Sequence, residues 1–125
     1  MASLLIIDDE HALRETLCAL LSNAGYSVVG VSDGQAGLDH CQWAAVDLVV
    51  TDLLMPGQDG FQTIRALRTL APVPKIIALT GSLAFERQDM LAFARESGAD
   101  RALGKPVRKD VLLETVRELL RESAA

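Results

Sequence analysis

The sequence predicts an α/β fold: a doubly wound, five-stranded parallel sheet in the order 2-1-3-4-5, with five helices. Three observations support this. First, short apolar runs recur at Leu4-Leu5-Ile6-Ile7, Leu48 to Thr51 and Lys75 to Thr80. They are continuous rather than alternating, as strands covered on both faces should be. Second, stretches with apolar residues at helical spacing separate them. Alternation of that kind implies right-handed crossovers and a parallel sheet. Third, the chain has 125 residues and no internal repeat, linker or low-complexity stretch. It is read as one domain with a core of about residues 3–121 and no second, effector domain.

The elements follow in order. Strand one is Leu4 to Ile7, and Asp8, Asp9 and Glu10 come straight after it. Leu13, Leu17, Leu20, Leu21 and Ala24 then mark one face of helix one, and Gly25 stands where a helix C′ glycine belongs. Strand two is Ser27 to Val31. Asp33 caps helix two, about Gln35 to Trp43, which tolerates Gly37 at a cost of roughly 1 kcal/mol. Strand three, Leu48 to Thr51, ends on Asp52, and Pro56-Gly57 makes a turn. Asp59 caps helix three, with Phe61, Ile64, Leu67 and Leu70 inward, and Pro72 and Pro74 stop it. Strand four is Lys75 to Thr80. Helix four runs from about Ala84 to Ser97 and ends at Gly98. Strand five is Ala102 to Lys105, closed by Pro106. Helix five, about Arg108 to Ser123, repeats Leu112, Val116, Leu119 and Leu120.

Composition narrows the function classes. Half the residues are hydrophobic, 23% are charged and the net charge is −5, an ordinary globular balance. There is no basic run, so direct nucleic-acid binding is not expected. No signal-like or membrane-length apolar stretch is present, and a cytoplasmic protein with no membrane partner is expected. Cys18 and Cys41 read as reduced thiols inside amphipathic helices. His40-Cys41 lacks the second ligand pair of a zinc site. Trp43, Met90 and the phenylalanines read as core or half-buried packing, and His11 as a first-turn residue near the acids.

The informative residues converge. In open α/β sheets ligands bind at the carboxyl ends of the strands. Asp8 and Asp9 follow strand one, Asp52 ends strand three, Thr80 ends strand four and Lys105 ends strand five. Strands one and three are neighbours at the switch point, so the three acids share one crevice. Taken singly, each is ordinary: a cap, a turn former, a β-branched strand residue, a surface lysine. Together, three carboxylates repel by several kcal/mol per close pair at an effective dielectric of about 20. A bound divalent cation relieves this, and Mg²⁺ suits oxygen ligands that leave room for phosphate oxygens. An aspartate can be a phosphoryl acceptor. A phosphoryl group on Asp52 calls for a metal, a lysine and a hydroxyl donor, and Lys105 and Thr80 are the latter two.

These residues make the chain resemble the receiver domain of two-component response regulators, from Leu4 to Leu120. The matching residues are Asp8-Asp9, Asp52 before Met55-Pro56 and Asp59-Gly60, Thr80-Gly81 and Lys105-Pro106. The resemblance implies a flavodoxin-like fold with Asp52 as phosphoacceptor. It implies Asp9, Asp52 and the Leu54 carbonyl as direct ligands of Mg²⁺ (or Mn²⁺), with Asp8 acting through metal-bound water. Thr80 and Lys105 would hold phosphoryl oxygens, and the Lys105-Pro106 bond would be cis. The implied partners are a histidine kinase or histidine phosphotransfer protein, and downstream a protein target or fused effector. The implied role is a signalling phosphoacceptor or phosphorelay member, not a turnover enzyme. A phosphatase using an aspartyl phosphate would want a second acid two residues after Asp52, where Leu54 stands. A flavin or nucleotide module would not place acids after strand one.

Three departures from the family pattern stand out. Ala102 occupies the strand-five position where the family commonly has a switching aromatic. Val107 follows Pro106 where Phe is frequent. The segment from Thr80 to Gly98 looks longer by roughly a helical turn. Leu54 and Ser82 fall at the positions that tune phosphoryl lifetime in this family, and an apolar Leu54 is poorly suited to orienting an attacking water.

Overall fold

The computed structural model describes residues 1–55, 58–81, 92 and 95–124. In chain order it has β1 (Ser3–Ile7), α1 (His11–Asn23), β2 (Ser27–Val31), α2 (Gly34–Cys41), β3 (Leu48–Asp52), β4 (Leu54–Met55), β5 (Gln58–Asp59) and α3 (Gly60–Leu67). β6 (Lys75–Thr80) follows. Residues 92 and 95–97 are helical and belong to a fourth helix, α4. β7 (Arg101–Gly104) and α5 (Lys109–Ala124) complete the chain. The rest of the expected fourth helix, most of the Thr80–Gly98 segment expected to be long, Ser82, Phe85, Met90, Phe93 and the Pro56-Gly57 turn lie outside the described residues.

The main sheet has the order β2-β1-β3-β6-β7 and every pairing in it is parallel. Numbering its five strands alone gives the expected 2-1-3-4-5. Because side chains alternate along a strand, each central strand feeds two cores. Leu4, Ile6, Leu48, Val50, Ile77 and Leu79 pack on one face with Leu17 and Leu21 of α1 and Leu112, Val116 and Leu119 of α5. Leu5, Ile7, Val49, Ile76 and Ala78 pack on the other with Ile64 and Leu67 of α3. That is why the central strands read as unbroken apolar runs. Each such side chain contributes roughly 1.5–3 kcal/mol by leaving water.

Local signals behave as their chemistry requires. The Asp33 carboxylate accepts from the Ala36 amide at 2.8 Å and starts α2. Gly25 follows α1 with φ of 102°, a conformation open to glycine at little cost. Gly37 sits in α2 because a Cβ there would overlap Ile7 of β1. The glycine that costs helix propensity lets α2 lie close on the sheet.

Several element edges differ from expectation: α3 ends at Leu67, ahead of Leu70 and the prolines expected to stop it, and others shift by a residue. Strand five is Arg101–Gly104, one residue earlier than expected, although the Lys105 amide still donates to the Thr80 carbonyl; the Lys105-Pro106 bond is cis, as expected. A two-stranded antiparallel ribbon, β4 with β5, flanks residues 56–57. Trp43 is not core: α2 stops at Cys41 and the indole is 83% exposed, edge-on to His40 at 6.4 Å. Leu38 and Cys41 already supply the apolar side of that short helix, and the chain turns before the indole reaches the core.

Gly60 sets the position of α3. A Cβ on it would lie 2.5 Å from the Leu53 Cα and 2.9 Å from the Asp52 carbonyl oxygen. These are backbone atoms of the strand tip and cannot swing away. Gly60→Ala is therefore expected to destabilise the fold by about 2 kcal/mol, the cost of overpacking outweighing the better helix propensity of Ala. Urea unfolding of the two proteins measures this, and equal midpoints would contradict the packing account.

Candidate functional site

The site lies at the carboxyl ends of β1, β3, β6 and β7. Each strand tip is tied to its neighbour through the backbone. The Asp8 amide donates to the Val31 carbonyl at 3.1 Å, Leu53 to Leu79 at 3.1 Å and Lys105 to Thr80 at 2.8 Å. The parallel pairing of β1 with β3, which reaches Ile7 and Thr51, brings Asp8, Asp9 and Asp52 together, with one carboxylate oxygen of each lying within 4.8 Å of the others. Asp8 and Asp52 are buried and Asp9 is exposed. Thr80 is buried one residue beyond Leu79, the register partner of Asp52. Leu54 continues from the same tip into β4.

Lys105 reaches back across the crevice. Its Nζ donates to Asp52 Oδ2 at 2.9 Å and stands 3.3 Å from Asp8 Oδ2. The second contact is one of charge rather than a directed hydrogen bond, because Asp8 Oδ2 is buried with no hydrogen-bond partner. Asp8 Oδ1 accepts from the Glu10 amide at 2.9 Å. One lysine thus serves two buried carboxylates, and it holds Asp8 less closely than Asp52.

The titration of these groups follows. Burial pushes the Asp8 carboxyl above its usual 3.8; the Glu10 amide and the Lys105 charge pull it back, and the Asp52 charge raises it further. Burial alone would lower Lys105, but its hydrogen bond to Asp52 and the charges of Asp52 and Asp8 hold it above 10.5. Burial likewise raises both free thiols, Cys18 and Cys41, consistent with reduced packing residues.

Three anionic oxygens at this spacing, one of them buried with no hydrogen-bond partner beyond its ion pair with Lys105, fit a hard divalent cation. The set offers no sulfur or imidazole and so does not suit a softer metal.

Comparison with known proteins agrees. The sequence matches the family model described as "Response regulator receiver domain" over residues 4–117. The chain belongs to the response-regulator receiver family. Over 123 residues this receiver is 37% identical to the transcriptional regulatory protein AfsQ1 of Streptomyces coelicolor, covering 97% of this chain and 52% of that protein. It is 37% identical over 125 residues to the transcriptional regulatory protein GlrR of Escherichia coli, covering 98% of this chain and 27% of that one. The chain thus spans about half or less of the length of these curated relatives. The chemotaxis response regulator CheY4 of Vibrio cholerae superposes with a TM-score of 0.80 at 31% identity, covering 95% of this chain and 98% of that one. Receivers are signalling regulators rather than turnover enzymes in general, they bind Mg²⁺ at an acidic pocket, and response regulators act with histidine kinases and effector domains. No helix among the described residues is long and apolar enough to cross a membrane.

One contributor was not singled out from sequence. Arg14 donates from Nη1 to the Asp8 carbonyl at 2.8 Å and contacts His11 Nδ1 from Nη2 at 2.9 Å. The available signal was a basic residue near the start of a helix, where the dipole disfavours it.

The sign of the Asp8 shift makes a prediction. Its folded value is raised, so between the usual 3.8 and that raised value the native state binds more protons than the unfolded chain. Stability of the metal-free protein therefore falls as pH rises through that window. Asp8→Asn should abolish this loss and raise Tm at neutral pH, by about 4 °C for each kcal/mol recovered. Lys105 has the same sign at higher pH: its contribution is complete below 10.5 and is lost as pH climbs through its raised value. Thermal melts in chelator from about pH 4 upward test this; an Asp8→Asn protein that melts lower than wild type would refute it.

Proposed function

We propose that this receiver is a phosphorylation switch whose phosphoacceptor is Asp52, charged by a phosphohistidine on a cytoplasmic histidine kinase or histidine phosphotransfer protein. The observation that carries the proposal is the lysine bridge: Lys105 Nζ holds Asp52 Oδ2 at 2.9 Å beside a second buried carboxylate at a crowded anionic crevice. A lysine there screens the nucleophile and can move with the charge as it passes to phosphoryl oxygens.

In the transfer, an Asp52 carboxylate oxygen attacks phosphorus in line. The P–N bond of phosphohistidine breaks, and the imidazole leaves with its electron pair and takes up a proton. Lys105 stabilises the charge on the equatorial oxygens, and Thr80 offers a hydroxyl to one of them. Asp9, Asp52 and the Leu54 carbonyl would hold Mg²⁺, or Mn²⁺ in its place, with Asp8 acting through its bound water. When bound, that ion neutralises phosphoryl oxygens and fixes their orientation. The added dianion then biases the Thr80 loop and α4 toward a second arrangement. The output passes to a downstream protein target or an effector domain, or onward in a phosphorelay.

Two measurements test this. Incubated with Mg²⁺ and acetyl phosphate, the wild-type chain should gain one phosphoryl group by intact mass and Asp52→Asn none. Labelling of Asp52→Asn equal to wild type would move the acceptor elsewhere. The apolar Leu54 should give a long-lived phosphoryl group, because it cannot orient water. Leu54→Asn is then expected to speed decay of the phosphorylated chain, and an unchanged decay rate would remove Leu54 as the cause.

A further inference from the structure

Asp9 differs from its two partners. It is the exposed member of the cluster and lies one residue further from the end of β1 than the buried Asp8, while Asp52 is on β3. An exposed carboxylate on a loose loop must be ordered whenever a cation binds, and that ordering subtracts from affinity. The segment bearing it is nevertheless tied at both ends by one side chain. Arg14 Nη1 donates to the carbonyl of Asp8, and Nη2 donates to His11 Nδ1, since a guanidinium has no acceptor to offer. Only Asp9 and Glu10 lie between the two anchor points, and the Glu10 amide is held by Asp8 Oδ1.

The route taken by Arg14 is also prepared. Its stem passes over Gly30 of β2, where a Cβ would lie 3.1 Å from Arg14 Cγ and 2.8 Å from Cys18 Sγ. A side chain at that position would force the Arg14 stem and the Cys18 thiol to shift. Arg14, Gly30 and the Asp8 carbonyl are thus parts of one arrangement spanning β2, α1 and the tip of β1.

We infer that Arg14 is a positioning residue that clamps the Asp8–His11 segment and so pre-orders Asp9 for a divalent cation, with Gly30 keeping its path clear. This rests on the metal role assigned above to the three aspartates. The bland alternative is that Arg14 acts only through its charge, and the two accounts predict opposite signs. A cation beside the acids opposes a second cation, so charge alone makes Arg14→Gln bind Mg²⁺ more tightly and leaves Arg14→Lys unchanged. A clamp depends on the two-pronged geometry that lysine lacks, so both variants weaken binding.

The test is calorimetric titration of the full chain with Mg²⁺, for wild type, Arg14→Lys, Arg14→Gln, Gly30→Ala and the Arg14→Gln/Gly30→Ala double variant. Expected is a loss of about 10-fold in affinity for both Arg14 variants, the usual effect of removing a group that orients a ligand. Gly30→Ala should weaken binding in the wild-type background and add little in the Arg14→Gln background, because the two act through one side chain. Wild-type affinity in Arg14→Lys, tighter binding in Arg14→Gln, or a wild type that binds no Mg²⁺ overturns the inference. Should Arg14→Gln fail to fold, Arg14→Lys decides. The readout is metal binding alone: a wild type that binds Mg²⁺ yet takes up no phosphoryl group sinks the phosphoacceptor proposal, while the variant affinities still decide the role of Arg14.

Discussion

The shortage of positive charge around Asp8 governs the rest of the molecule. A fully buried carboxylate shares a single lysine with a second buried carboxylate, and a third acid stands at the rim. Removing such charges from water costs several kcal/mol apiece, and attraction repays it only when every lone pair finds a donor. Here the pairing is incomplete: one buried oxygen has only the Lys105 ammonium at 3.3 Å, a lysine already bonded to Asp52. A protein built only for stability would place an apolar side chain at Asp8. Keeping the acid sets aside stability for a crevice that is receptive to cations.

The scaffold makes that tension sustainable. The three charged tips stay at short range because hydrogen bonds join strand end to strand end, and because α3 is seated against the Asp52–Leu53 backbone through Gly60. Two cores, one on each face, fix the strands themselves. Repulsion among the acids is therefore met by the whole sheet and is not relieved by local yielding. Sites on rigid elements hold geometry better than sites on loops. Asp8 and Asp9 lie just past the end of β1, on a short connection, and that is where an additional tether, Arg14, is found.

Much of this was legible in the sequence. Continuous apolar strands, each ending on a chemically distinctive residue, determined both the sheet order and the crevice, since only the switch point brings the first and third strands side by side. What was hidden depended on distances between elements. Gly37 and Gly60 look like weaknesses in helices until the strand lying beneath them is known. Arg14 looks like a surface cation until the path over Gly30 is seen. Trp43 looked like packing because hydrophobicity was the only information; its exposure follows from where a short helix happens to stop. Boundaries slid by a residue, as at Lys105.

Ala102 carries a consequence for how this domain stores information. It packs beside the second core and pairs in register with Ala78, methyl next to methyl. Alanine has no side-chain torsion that moves a heavy atom. This stretch of β7 therefore has no rotameric memory: it cannot occupy two side-chain states that distinguish an empty crevice from a charged one. Any message crossing it is written in backbone coordinates, and the hydrogen bond from Lys105 to the Thr80 carbonyl couples the two strand ends in that medium. In the switch proposed above, the choice between two arrangements then falls to the Thr80 loop and α4 rather than to a side chain at residue 102.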